Sequence, residues 1–257
     1  MVYMAYNQRS LFVTGVWTTV QLALAGTAIA FVLALLMVFL RIQEPDKRNN
    51  DFVKIIKIVA NKFARFYIFV IRGTPMMVQS LIFYYAIFNL FKRTGMSVTE
   101  INRVWSLFIS GLVTVSLNST AYLAEVLRGG ILAVDAGQME AARSLGMTHW
   151  QAMRRVVFPQ AIKNSLPAIG NEFIINIKDS SVLCVLGVSD LMFMTRSVAG
   201  IYYKGTECYL IAATVYLFLT YLSSLLLKTI TGRMTAPDNT KRRQGNQTVD
   251  LGLPSSN

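Results

Sequence analysis

Charged residues are scarce in this chain of 257 residues: only 15% are Asp, Glu, Lys or Arg, where a soluble domain has about 25%. Hydrophobic residues make up 54%, and the charges gather in short stretches between long apolar runs. This distribution excludes an ordinary soluble domain and is typical of a protein that crosses a membrane several times. A net charge of +12 would suit nucleic acid, but no stacking or base-reading motif accompanies the basic loops, so no nucleic-acid partner is expected.

Cysteine and histidine are also nearly absent, with Cys184, Cys208 and His149 as the only examples. Two separated thiols do not form a disulfide framework, and one imidazole without a cluster of thiols or carboxylates does not form a metal site. The phosphate-binding pattern G-x-x-x-x-G-K-[ST] is missing as well. We therefore expect no metal, no cofactor bound by this chain and no ATP hydrolysis by it.

Apolar runs near or above the roughly 20 residues that cross a bilayer occur five times. The predicted spans are residues 11–40, 66–91, 104–127, 165–191 and 208–227. When Lys and Arg are counted on alternate sides, one side carries 17 and the other carries seven. The positive-inside rule then places the N-terminus outside and the C-terminus inside. The predicted fold is an all-α membrane protein with five transmembrane helices.

Two further segments complete this organisation. Residues 52–65 alternate basic and apolar side chains at helical spacing, which predicts an amphipathic interfacial helix or a stalk that extends the second span. We expect residues 1–234 to form the transmembrane domain. The tail over 235–257 is polar and lacks periodicity, so we expect it to be a disordered cytoplasmic segment.

The cytoplasmic loop over residues 128–163 contains an unusual polar stretch. Residues 138–145 favour a helix, and Gly146 suits the left-handed position that ends one. Thr148, followed three residues later by Gln151, predicts a capping box that opens a second helix. Pro159 predicts the end of that helix or a kink in it. These patterns are equally compatible with a docking surface for a partner and with a plain helical connector.

Polar side chains interrupt two of the predicted spans. Residues 72–75 read Arg-Gly-Thr-Pro, and residues 178–181 read Lys-Asp-Ser-Ser. Broken spans expose helix ends that bind the charged groups of substrates in transporters, and an intramembrane charge needs a partner or a watery cavity. The alternative is structural: an internal ion pair, a hinge, or interhelical hydrogen bonds. The candidate pathway residues are Arg72, Thr74, Asn118, Lys178, Asp179, Ser180 and Ser181.

The run Glu140-Ala141-Ala142, followed by Gly146, Val156 and Phe158-Pro159, resembles the EAA loop of ABC-importer permease subunits. Further motifs resemble the polar amino acid branch of that family, the His/Gln/Glu/cystine type. These motifs are Ile71-Arg72-Gly73-Thr74-Pro75, Ala121-Tyr122-Leu123-Ala124-Glu125, Arg128-Gly129-Gly130-Ile131, Asn171-Glu172-Phe173 and Lys178-Asp179-Ser180-Ser181.

The resemblance implies a permease of a bacterial inner membrane that pairs with a second copy of itself or with a sister permease. It further implies two cytoplasmic ATPase subunits, which hold ATP and Mg, and an extracytoplasmic solute-binding protein that delivers the amino acid. The residues implied to transmit force from the ATPase are Glu140, Ala141, Ala142, Leu145, Gly146 and Met147.

Two other functions fit parts of the sequence. A stand-alone secondary transporter would use Lys178 and Asp179 as ion-coupling groups and would work without an ATPase. A membrane-anchored interaction protein would have no transport role, but it would leave the intramembrane polar groups without a purpose. The importer permease accounts for both the polar loop and the interrupted spans.

Overall fold

The computed structural model describes residues 2–42 and 50–234, and the secondary structure within these two ranges is helical without strands. The predicted tail over 235–257 lies outside the described residues. The helices are α1 (Val2–Asn7), α2 (Arg9–Ile42), α3 (Asp51–Gly73), α4 (Met76–Arg93), α5 (Val98–Val104), α6 (Leu107–Leu132), α7 (Ala136–Ser144), α8 (His149–Ala152), α9 (Phe158–Asp179), α10 (Leu191–Tyr202) and α11 (Gly205–Met234). A π-helical turn over Met153–Val157 joins α8 to α9, and a 3-10 turn over Ser180–Val185 follows α9.

Within the described ranges, three helices are long and apolar enough to cross a membrane: α2, α6 and the part of α11 over Gly205–Gly232. A fourth candidate span exists if the bent pair of α3 and α4 counts as one crossing. The predicted fourth span does not meet the same criterion, because α9 carries polar side chains along its length. The chain is therefore an all-helical membrane protein with three or four candidate spans.

The helix boundaries refine the predicted organisation in three places. The second span was predicted to begin at residue 66, and α3 begins at Asp51, so the amphipathic segment is continuous with the span, which is the stalk of the two predicted alternatives. The third predicted span started at residue 104, whereas a break at Trp105 separates α5 from α6. The fourth span over 165–191 was predicted to be interrupted, and α9 does give way to the 3-10 turn at Ser180, before a further helix, α10, begins at Leu191.

Helices α2, α6 and α9 pack together closely because small side chains separate them. Buried alanines of α2, Ala30 and Ala34, lie in one apolar cluster with Ala121 and Ala124 of α6. A Cβ at Gly130 of α6 would stand 2.0 Å from the hydroxyl oxygen of Ser165 in α9. Small residues at such crossings let helix backbones approach in a membrane, where van der Waals packing drives association.

Candidate functional site

The first break separates α3 from α4, whose axes differ by 111°. Thr74 has extended backbone angles of φ −123° and ψ 145°, and Pro75 follows as the residue before α4. A proline disfavours the helical conformation in the residue before it and cannot donate a backbone hydrogen bond. The sequence around residue 75 therefore ends one helix and starts another in a new direction.

Gln79, which the sequence patterns did not single out, spans this break. Its side-chain Nε2 donates to the carbonyl oxygen of Ile71 at 2.7 Å and to that of Thr74 at 2.9 Å. Its Oε1 accepts from Nδ2 of Asn118 in α6 at 3.0 Å. The side chain is only 4% exposed. One feature of the sequence could have identified Gln79: it is a glutamine four residues after a proline, in an otherwise apolar helix.

Two predicted pathway residues lie at the same break and are exposed. The guanidinium of Arg72 stands over the ring of Tyr122 at 5.2 Å from its centroid. Among the described residues Arg72 forms no salt bridge, so it is not one half of an internal ion pair there. The hydroxyl of Thr74 donates to the carbonyl of Val70 at 2.9 Å. The structure thus brings Arg72, Thr74 and Asn118 together around one bend.

The second break begins where α9 ends at Asp179. The hydroxyl of Ser180 donates backward to the carbonyl of Ile177 at 3.1 Å and does not cap α10. Asp190 caps α10 instead, its Oδ1 accepting from the Phe193 amide at 2.9 Å. An acceptor beside the helix N-terminus satisfies amides that have no intrahelical partner.

The four predicted residues at the second break differ in exposure. Lys178 and Asp179 are exposed, Ser180 is buried and Ser181 is half-buried. In the described part of the chain no hydrogen bond joins residues 178–181 to Arg72 or Thr74. The two breaks are nevertheless near each other, because Met76 at the start of α4 packs against the cluster that contains Leu183 of the 3-10 turn.

A buried amide anchors α9 one turn before the second break. Oδ1 of Asn176 accepts from the hydroxyl of Ser119 in α6 at 2.9 Å. Its Nδ2 donates to the hydroxyl of Thr27 in α2 at 2.8 Å. This chain of three side chains ties α2, α6 and α9 together, and neither Asn176 nor Thr27 was predicted as a site residue.

The predicted elbow between α7 and α8 is confirmed in its local geometry. Gly146 has φ +84°, and the amide of Met147 donates back to the carbonyl of Ala142 at 3.2 Å. Thr148 and Gln151 form the expected capping box, with side-chain to backbone distances of 3.2 and 2.9 Å. Helix α7 therefore ends before Gly146, which takes the left-handed backbone conformation that glycine adopts without steric cost.

The elbow displays its side chains outward. Leu145 is 81% exposed; Glu140, Ala141 and Gly146 are exposed too, Met147 is half-buried and Ala142 is buried. A large apolar side chain in this position is typical of a surface that a partner covers. Behind the elbow, the ring of Trp150 packs edge-on against Phe39 of α2, with centroids 5.7 Å apart.

Helix α8 continues into α9 without a loop. The five residues of the π turn precede Pro159, which occupies the first turn of α9. Proline cannot donate to the carbonyl four residues before it, and a π turn is one way in which a helix accommodates such a gap. The predicted disturbance at Pro159 is thus a change of helical pitch rather than an end of the helix.

Charges meet where α2 and α6 come together near the elbow. Glu125 accepts from Arg128, three residues later in α6, at 2.9 Å. It also pairs with Arg41 of α2, a partner that sequence spacing does not reveal. Asn61 of α3 donates to the backbone carbonyl of Arg41 at 2.7 Å. Polar contacts therefore join α2, α3 and α6 in this region.

Comparison with known proteins supports the same assignment. Residues 55–236, well over half of the chain, match the family described as binding-protein-dependent transport system inner membrane component. The nopaline transport system permease protein NocM of Agrobacterium fabrum is 31% identical over 214 residues, covering 82% of each chain. The glutamine transport system permease protein GlnP of Escherichia coli K12 is 34% identical over 68% of this chain and 76% of that protein.

Solved structures share the arrangement of helices. A crystal structure described as an amino acid ABC transporter with histidines matches 89% of this chain and 96% of its own, with 38% identity and a TM-score of 0.73. An inward-facing MetNI methionine ABC transporter matches 88% of this chain and 96% of its own, with a TM-score of 0.68; at 20% identity it supports the fold alone. The chain belongs to the binding-protein-dependent transport system inner membrane component family, the permease subunits of ABC transporters.

Proposed function

We propose that this permease subunit carries polar amino acids across a bacterial inner membrane in an ATP-driven importer that works by alternating access. The observation that carries the substrate class is the 38% identity to an amino acid ABC transporter over 89% of the chain. The glutamine and nopaline permeases at 34% and 31% identity support it. In such a complex the ATPase is a separate subunit, so this chain is not an enzyme.

The elbow is the proposed docking site for the ATPase. The residues that would form it are Glu140, Ala141, Ala142, Leu145, Gly146 and Met147. The high exposure of Leu145 and the sharp reversal at Gly146 support this role. Helix α8 runs into α9 through helical turns alone, so a displacement of the elbow would reach the second break directly.

The two breaks are the proposed pathway elements. Arg72 and Thr74 at the first break, and Lys178, Asp179, Ser180 and Ser181 at the second, would face the amino acid or the gate that admits it; Asn118 would line the same region. Arg72 supplies a cation for a carboxylate, and Asp179 supplies an anion for an ammonium group. The exposure of Arg72, Lys178 and Asp179 in the single chain supports this assignment.

The proposed topology has five spans, with the N-terminus outside and the C-terminus inside. The bent pair of α3 and α4 would be the second span, and α9 with its 3-10 turn would be the fourth. The excess of Lys and Arg on the side of the elbow supports the orientation. The proposed assembly contains two permease subunits, two ATPase subunits that bind ATP and Mg, and a solute-binding protein; membrane lipid surrounds the spans.

Reconstitution tests the function directly. The purified complex in proteoliposomes should take up a labelled polar amino acid only when ATP and the binding protein are both present. The chain alone, under a sodium or proton gradient, should show no uptake, because it has no ATPase. Gradient-driven uptake by the chain alone would support the secondary transporter instead, which the relatives do not favour.

A pair of glycines tests the elbow. Gly146 and Gly95 both have positive φ, +84° and +86°, and at both positions an added Cβ would meet no other atom within 4 Å. Gly146→Phe and Gly95→Phe should therefore lose similar stability, about 1–2 kcal/mol. Only Gly146→Phe should separate ATP hydrolysis from uptake, measured together in proteoliposomes. Equal uptake by the two variants would contradict force transmission at the elbow.

A further inference from the structure

Pro75 leaves one carbonyl group in α3 without its normal partner. In an α-helix the carbonyl of residue 71 accepts from the amide of residue 75, and residue 75 is a proline without an amide hydrogen. Nε2 of Gln79 lies 2.7 Å from the Ile71 carbonyl oxygen and so occupies the place of the missing donor. A buried carbonyl without a donor is costly, most of all in a membrane.

The side-chain amide of Gln79 also bonds Thr74, the residue at the bend itself. Its Nε2 lies 2.9 Å from the carbonyl oxygen of Thr74 and 2.8 Å from the Thr74 hydroxyl. A glutamine side chain has two amide hydrogens and one carbonyl oxygen, and Oε1 is taken by Asn118 at 3.0 Å. All the polar atoms of this buried side chain are engaged, which fixes its orientation.

Asn118 links the bend to α6, the helix that leads to the elbow. It lies in the middle of α6, and α6 runs on to Leu132, close before α7 begins at Ala136. A displacement of α6 that starts at the elbow must therefore either break the bond between Gln79 and Asn118 or carry the bend with it. Ser80, the next residue, differs: its hydroxyl donates only to Met77 in the same helix, at 2.7 Å.

We propose that Gln79 is a positioning residue for transport, which holds the bend between α3 and α4 and links its movement to α6. This inference rests on the proposed transport function, in which Arg72 and Thr74 lie on the pathway. The bend between α3 and α4 sets the positions of these two residues. Gln79 itself does not bind the substrate. Its role is to keep two helix ends at a fixed angle while α6 moves.

The test uses the complete transporter in proteoliposomes, with uptake and ATP hydrolysis measured on the same sample. Gln79→Leu should lower the maximal rate of uptake at least about tenfold, while hydrolysis and the half-saturating concentration of loaded binding protein change less than about twofold. Gln79→Glu retains the shape but offers at most one O–H in place of two N–H donors, so it cannot bond both carbonyls and should also lower uptake. The matched control Ser80→Ala should transport within about twofold of the unmodified complex.

A second substitution separates positioning from simple stabilisation. Pro75→Ala in the Gln79→Leu background removes the block on a continuous helix, so α3 can extend through Thr74 and the new amide at residue 75 can then donate to the Ile71 carbonyl. The melting temperature should then return toward that of the unmodified complex, whereas uptake should stay low because nothing holds the bend. Recovery of uptake together with stability would overturn the proposal, since Gln79 would then only satisfy one carbonyl.

Direct measurement of the bend completes the test. Spin labels at the exposed positions Phe69 and Tyr85, with Cys184 and Cys208 replaced by serine, report the distance between α3 and α4. Gln79→Leu should broaden or shift that distance, and Ser80→Ala should not. If the variants at residue 79 do not assemble, Asn118→Leu, which leaves the bond to Ile71 intact, should still lower uptake about threefold or more.

The outcomes remain distinguishable from a failure of the proposed function. Normal uptake in Gln79→Leu, or an unchanged distance between the labels, overturns the positioning role while the importer stands. Normal uptake in Asn118→Leu overturns the link to α6. An unmodified complex that shows no ATP-dependent uptake refutes the importer itself, whatever the variants do.

Discussion

The two helix breaks are joined to the same helix in different ways. Asn118 and Ser119 are neighbours in α6; Asn118 reaches Gln79 at the first break and Ser119 reaches Asn176 near the second. Gln79 bonds carbonyls of the bend itself. Asn176 instead fixes α9 one turn before its end at Asp179.

The difference predicts which break can move. Between α3 and α4, the buried side chain of Gln79 spans the gap and bonds Asn118 of α6. After Asn176, the described hydrogen bonds of the 3-10 turn are mostly local, such as Ser180 to Ile177 and the amide of Leu186 to Leu183 at 3.0 Å. Beyond these, Arg196 of α10 reaches the sulfur of Cys184 at 3.8 Å, and Leu183 packs against Leu22 of α2 and Val115 of α6. Hydrogen bonds hold two groups at a set distance and angle, whereas apolar packing is non-directional. The first break is therefore expected to move as a unit with α6, and the second to rearrange by itself.

The strongest test of this contrast is Asp179→Ala. If the second break is the rearranging part of the pathway, removal of its exposed carboxylate should lower uptake about tenfold or more. Co-purification with the ATPase should stay normal, because Asp179 lies at the opposite end of α9 from the elbow. ATP-dependent uptake in proteoliposomes and pull-down of the ATPase measure the two effects.

Lys178→Met is the matched variant, since it removes the neighbouring exposed charge and keeps most of the side-chain length. A loss of ATPase binding in Asp179→Ala would show that Asp179 has a structural role. The proposed difference between the two helix breaks would then fail. Unchanged uptake in both variants would show that the charges at the second break take no part in transport.

The next largest effect should come from Asn176→Leu. This change removes two interhelical hydrogen bonds and leaves Thr27 and Ser119 without their partner. Interhelical hydrogen bonds in membranes contribute on average about 0.6 and at most about 1.7 kcal/mol each, so we expect a loss of roughly 1–3 kcal/mol. Thermal unfolding in detergent measures it.

Thr114→Val is a suitable control for Asn176→Leu, because the Thr114 hydroxyl donates only to Ser110 within α6, at 2.9 Å. It should lose much less stability. If Asn176→Leu were as stable as the control, the bonds among Thr27, Ser119 and Asn176 would not anchor α9. The helix before the second break would then not be held by them.

A smaller effect is expected at Gly187, which ends the 3-10 turn with φ +93°. An added Cβ would lie 3.5 Å from a methyl group of Leu107, an ordinary contact, so the cost of Gly187→Ala comes from the backbone. We expect a loss of about 1–2 kcal/mol, measured as a shift in melting temperature. A neutral substitution would show that the turn can adopt another conformation at low cost.

Local patterns predicted the elbow well because its determinants lie within a few residues. The capping box needs only Thr148 and Gln151, and the reversal needs only a glycine at position 146. The break after Arg72 was predictable for the same reason, since Pro75 acts on its immediate neighbours.

The contacts that distinguish the two breaks were not predictable from such patterns. The bond between Gln79 and Asn118 and the triad around Asn176 join residues far apart in the chain, and they depend on how helices rotate and cross. Helix α10 was not predicted either, because Leu191–Tyr202 begin where the predicted fourth span ends and lie in its connection to the fifth. The five spans, and the orientation with the N-terminus outside and the C-terminus inside, stay predictions.

The smallest effect should follow from Ser180→Ala. The Ser180 hydroxyl donates only to the carbonyl of Ile177 within the same helical end, and such a bond contributes about 0.5–1.5 kcal/mol. Because that carbonyl is near the end of α9, water or the 3-10 amides can replace part of the bond. We expect a melting shift at the lower end of this range and uptake within about twofold of normal. A large loss of uptake without a loss of stability would instead show that the amino acid bonds the Ser180 hydroxyl directly, and the second break would then act through its buried serine rather than through its exposed charges.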